Sequence, residues 1–304
     1  MNTVHEWKSY APIIGGIALM AGSGLTIYVD RYERLQDASS PRPVYYRYFS
    51  QAILALHQWP HWLFCLTTSI FAPCLYLTSK WQAIFLENEC DHYENHNEEC
   101  ISLGHSIQRS ALLCGIASFL DAWTPLGRPT STVILHNIWA TGFFSLGAHY
   151  VYSTIKLASL MKASQLIINL RVICFVVMVI SGIGIVASMF PAINATGRLF
   201  EHQYRGTKES KMEAEDITKA RRREAILSTF QMALGIGLGL DMFTAFPEIL
   251  KVINTSDSDL SFGRQADFIF GIMLSLTAIQ YYFRKPIYQW CQSKLLRFRH
   301  LKTN

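Results

Sequence analysis

The feature that most constrains this chain is the gathering of its apolar residues into blocks about 20 residues long, the length of helix that crosses a hydrocarbon core of about 30 Å. Seven such blocks can be marked, at residues 11–29, 51–77, 106–126, 131–155, 172–192, 225–246 and 268–283. Inside lipid every backbone donor and acceptor must be satisfied within the span, so each block reads as a helix. A soluble chain would instead spread its apolar side chains along amphipathic helices and strands. Half of these 304 residues are hydrophobic and 16% are charged, where a soluble domain carries about 25%. The expectation is an all-α protein, a polytopic transmembrane helix bundle of six or seven spans. Residues 1–304 then form a single integral membrane domain with no separate soluble unit.

The first block contains Gly15, Gly16, Gly22 and Gly24, small residues that let membrane helices approach closely. It is long for the apolar core of a signal peptide, is preceded by one basic residue, Lys8, and reads as a retained span. Pro41 and Pro43 mark a loop after it. The second block is interrupted at Trp59-Pro60, which suggests an interfacial start carrying His57, Trp59, His61 and Trp62. Residues 80–104 read as an acidic loop, and Gly127-Arg128-Pro129 as a tight turn. A charged segment from Arg198 to Glu224 ends in Arg221-Arg222-Arg223 and abuts the sixth block. That block holds Gln231, Asp241 and three alternate glycines, which dilute its apolar content.

The net charge of +5 does not indicate nucleic acid, because the basic residues lie in short stretches between apolar blocks and form no basic domain. They bear on orientation instead. With seven spans and the N-terminus outside, the inner loops and tail hold four, one, eight and six basic residues, 19 of the 27. The opposite orientation inverts that ratio.

Seven cysteines are present without a CxxC pair. Cys65, Cys74, Cys114, Cys174 and Cys291 lie in or beside apolar blocks and read as small core residues. Cys90 and Cys100 bracket a polar loop and suit a disulfide on the non-cytosolic side. A zinc site with His92 and His96 is the weaker reading, and no metal or other cofactor is expected. His136 and His149 share the fourth block but are thirteen residues apart, about 20 Å along a helix, so they cannot chelate one ion together. Each is expected near a different membrane boundary. Asp121, Asp241, Asp267, Arg109 and Arg171 are the other charges in or beside spans, with boundary positions the cheaper reading and snorkelling available to the arginines.

No GxSxG, HExxH, GxGxxG or P-loop occurs, and the last two blocks lack the histidines of ceramidase-like membrane hydrolases. Several short motifs do carry a resemblance. Tyr45-Tyr46-Arg47-Tyr48-Phe49 precedes Leu56-His57 and Pro60; His136-Asn137 opens the fourth block, which also carries Gly147 and His149-Tyr150. Arg171 opens the fifth block, and Asp267-Phe268 precedes the last. In these the chain resembles the Frag/DRAM/Sfk membrane family over residues 11–192. The resemblance implies a Golgi or endoplasmic reticulum protein that acts on membrane lipid in remodelling GPI anchors, with GPI-anchored proteins as partners. His57 and His136 would then be the candidates for acid–base or headgroup contact. It also implies six spans with a cytosolic N-terminus, against the seven favoured by charge. Two other classes stay open: a non-catalytic DRAM-like regulator of lysosome or plasma membrane, and a seven-helix receptor or transporter.

Overall fold

A computed structural model describes residues 6–36, 59–90, 97–124, 130–204 and 214–255, with isolated helical positions between 268 and 278. His57 and Asp267 lie outside the described residues. Among the described residues the elements are all helical: α1 (Glu6–Ser9), α2 (Ala11–Gln36), α3 (Trp59–Cys90), α4 (Asn97–Trp123), α5 (Thr130–Leu160), α6 (Gln165–Tyr204), α7 (Ala214–Thr244) and α8 (Phe246–Thr255).

Four stretches are long and apolar enough to cross a membrane: Ala11–Val29, Pro60–Cys90, Gln165–Ala192 and Glu215–Val252. Helices α4 and α5 are also long, with 27 and 31 residues, but polar side chains such as Ser102, His105, Arg109, His136 and Asn137 dilute their apolar content. The outward face of α6 is apolar. Along α6, Ile173, Val176, Ile180, Ile183, Val186 and Phe190 are exposed at spacings of three and four, a stripe that water would penalise and lipid tails accept.

Each long helix packs on its neighbours in sequence, and α7 returns to pack on α2, so the six close into a ring. Helix α8 lies against α3. Glycines set the registers. A Cβ on Gly15 would stand 2.7 Å from that of Cys74, and one on Gly22 would collide with Thr67, so α2 and α3 run antiparallel in close contact. Gly16 and Gly239 face each other where α2 meets α7. The alternation gives the bundle two ends. One carries the start of α2, the end of α3, the α5–α6 turn, α8 and a disulfide between Cys90 and Cys100; the other carries the start of α3 and of α7.

Several boundaries differ from the sequence expectation. Most of the expected loop at 80–104 is helix, because Thr78, Trp81, Gln82, Phe85 and Leu86 repeat at three- and four-residue spacing and form one buried face of α3. Pro60 does not break a helix but begins one, since its missing N–H falls among donors that have no intrahelical partner. His61, expected at the interface, is fully buried. The fifth block continues past Pro191 to Tyr204. The stretch after the sixth block holds α8, whose Glu248, Ile249 and Val252 are buried at helical spacing together with the preceding Ala245.

Candidate functional site

Two buried polar constellations occupy opposite ends of the bundle. The first is positioned by the short α5–α6 turn. Lys162 adopts a left-handed conformation (φ 50°), with Ala163 N–H donating to the Ala158 carbonyl and Lys162 N–H to that of Ser159. This pairing closes the end of α5. Ser164 then caps α6, its hydroxyl accepting from Ile167 N–H at 3.4 Å. Two turns further along α6, Arg171 points into the bundle and is fully buried.

Its guanidinium is enclosed by acceptors from three other helices. Nη2 lies 2.7 Å from Glu248 Oε1 of α8 and donates to the Thr244 carbonyl at 3.2 Å. Nη1 donates to the Thr154 carbonyl at 2.6 Å, and Nε to Thr244 Oγ1 at 2.8 Å. Glu248 also accepts from Gln82 Nε2 at 3.1 Å, and Gln82 Oε1 accepts from Tyr150 Oη at 3.0 Å. Thr154 Oγ1 sits 3.1 Å from Asp241 Oδ1. Five helices meet in one network. Its hydrogen bonds and buried ion pair make it a clamp that fixes α5, α6, α7 and α8 on α3.

The second constellation is better suited to chemistry. His136, near the start of α5, is buried at 1% exposure, and its Nδ1 lies 3.0 Å from Asp121 Oδ1 and 2.9 Å from the Thr124 carbonyl. Two acceptors at Nδ1 assign the ring proton there, which puts the lone pair of the neutral ring on Nε2. His61 and Cys65 pack on the same end: Cys65 Sγ is 3.3 Å from His61 Nε2 and contacts the Ala122 carbonyl at 3.7 Å. Asp121 borders an internal cavity of about 40 Å³, walled by Leu19, Phe64, Phe143 and Phe144 with Ser118 and Gln231. That volume admits water-sized species beside the carboxylate. Imidazole and carboxylate together can take up and release a proton beside a cavity whose wall is largely apolar, with Ser23, Thr68, Ser118 and Gln231 as its other polar side chains.

The structure therefore joins Asp121 to His136 and places the other candidates elsewhere. His149 is exposed on the outer face of α5, toward the disulfide end. Arg171 is not a snorkelling residue; its side chain turns inward because Glu248 and three backbone or hydroxyl oxygens satisfy it there. Asp121 and Asp241 are likewise buried rather than solvated at a boundary. Among the described residues, no group of three or more His, Cys, Asp or Glu is arranged to hold a metal ion. Sequence reasoning missed Glu248, Gln82 and the inward His61. The spacing of Ala245, Glu248, Ile249 and Val252 is a legible signal for Glu248. No protein-family model, curated protein or solved structure matches this chain.

Proposed function

We propose that this chain is a multi-pass membrane protein of the Golgi or endoplasmic reticulum that handles lipid during remodelling of GPI anchors. In its motifs it resembles post-GPI-attachment-to-proteins factor two, a protein needed for that remodelling. The observation that supports the reading most is the Asp121–His136 couple, an imidazole held by a carboxylate beside an internal cavity. It is the described constellation best suited to moving a proton within a lipid-facing bundle. We take seven spans, with the disulfide end lumenal. The basis is twofold: disulfides persist in the oxidising lumen, and Arg31, Arg221, Arg222 and Arg223 lie at the other end, as basic residues do on the cytosolic side.

His136→Ala is expected to lower surface display of GPI-anchored proteins several-fold at unchanged abundance of the chain. Asp121→Asn should do so less, since the amide still accepts from Nδ1–H. The measurement is flow cytometry of GPI proteins alongside mass spectrometry of their anchor lipids. Normal anchor lipid in cells lacking the chain would sink the remodelling reading and favour a regulatory role without catalysis. Loss of display that merely follows loss of protein would make the couple structural.

Orientation has its own test. A tag after Asn304 should be cleaved by protease added from the cytosol. Cys90 and Cys100 should react with an impermeant maleimide only after the membrane is opened and the protein reduced. Arg221 to Arg223 found in the lumen would reverse the topology.

A further inference from the structure

We propose that the groove between α4 and α5, on the outward face near the disulfide end, binds the phosphate of a membrane phospholipid headgroup. The groove encloses about 430 Å³. His105 and Arg109 stand one helical turn apart on α4, and His149 faces them from α5. Ser102, Ser106 and Ser110 line the wall, while Leu113 and Leu146 close one side. His105, Arg109 and His149 are all exposed. No carboxylate among the described residues pairs with any of the three, in contrast to Arg171, Arg221, Lys219 and Lys251, each of which pairs with a glutamate. Basic groups gathered on one groove without an acid are a set of donors waiting for an anion.

The registers give the depth. Gly15 opposes Cys74 on α3, which puts Ala11, the start of the apolar span of α2, level with Thr78. Gly104 opposes Ala83 and Gly115 opposes Ala72, which puts Thr78 level with Arg109. Arg109 therefore sits where hydrocarbon gives way to headgroups. His105 lies one turn outward, and Leu113 one turn inward. A phospholipid meets that order of chemistry: phosphate against guanidinium, imidazoles and hydroxyls, and the first acyl carbons against the leucines. The planar guanidinium can hold two phosphate oxygens at once. The inference stands apart from the GPI reading, because it asks only for a phosphate-bearing lipid in that leaflet.

Native mass spectrometry of the full chain in detergent, titrated with phosphatidylinositol or with diacylglycerol of the same acyl chains, tests it. Phosphatidylinositol should be retained and diacylglycerol lost. Arg109→Gln should weaken retention about tenfold or more, with Arg109→Lys intermediate, and His105→Gln with His149→Gln together should weaken it further. Each variant is compared at equal thermal stability, which the exposure of all three residues favours. Equal retention of diacylglycerol, or an unchanged affinity in Arg109→Gln, overturns the proposal. Full displacement of the lipid by inorganic phosphate at low millimolar concentration also overturns it, and assigns the groove to the free ion.

Discussion

Arg171→Leu is expected to leave little folded protein in the membrane. The guanidinium is fully buried, and its partners come from α5, α7 and α8. Removing it leaves Glu248 as a buried carboxylate with only Gln82 donating to it, and strips a donor from the Thr154 and Thr244 carbonyls. Breaking a buried pair from one side costs about 3–5 kcal/mol, a large share of the 5–15 kcal/mol that holds a typical domain together. Size-exclusion chromatography after graded heating in detergent should show the midpoint falling by on the order of 10 °C. Glu248→Gln should be milder, because the amide keeps its shape and can still accept from Arg171. Arg171→Leu combined with Glu248→Leu should recover part of the loss, since the uncompensated charge disappears with its partner. A single Arg171→Leu variant as stable as the parent would show that the clamp contributes nothing.

That network marks where sequence reading stops. The apolar blocks announced α2, α6 and the membrane portions of α3 and α7, since twenty apolar residues in a row have one economical backbone solution in lipid. Helix ends were less legible. Past Lys80 the chain becomes polar on average, and only the spacing of Trp81, Gln82, Phe85 and Leu86 reveals that α3 continues to Cys90. Arg171 illustrates a different obstacle. An arginine six residues into an apolar helix can snorkel outward or turn inward, and the choice depends on whether a carboxylate waits on another helix. Glu248 is that carboxylate, 77 positions away and just past the sixth apolar block, where only the spacing of the buried residues marks a helix. Asp121 and His136 were both legible as intramembrane polar residues, yet not as partners. The tight turn at Gly127-Arg128-Pro129 already implies an antiparallel return, but their contact depends on which faces of α4 and α5 meet, which a sequence leaves open.

Gly16→Leu should open the ring of helices. At this position α2 and α7 approach backbone to backbone: a Cβ on Gly16 would stand 2.7 Å from the Gly239 carbonyl oxygen and 2.8 Å from the Phe243 ring. The side chain has no open path, and a carbonyl within a helix cannot move aside as a flexible side chain would. The helices must part, which in a packed interior costs about 3 kcal/mol, the upper end for overpacking. Membrane helices gain little from hydrophobic exclusion of one another and depend on such close packing, so the lost contact is not replaced by lipid. Gly16→Ala should already destabilise, even though alanine favours helix over glycine by about 1 kcal/mol. Gly24 supplies the control on the same helix. A Cβ there meets nothing within 4 Å, so Gly24→Ala should be neutral or stabilising. The cavity bordered by Asp121 is lined by Leu19 and Ser23 of α2 and by Gln231 and Gly235 of α7, so parting these helices also widens it. Gly16→Leu should therefore lower the melting midpoint, and a cysteine at Ser23 should become more reactive to maleimide. If Gly16→Leu melts with the parent while Gly24→Ala falls below it, α2 and α7 do not close the ring through this contact.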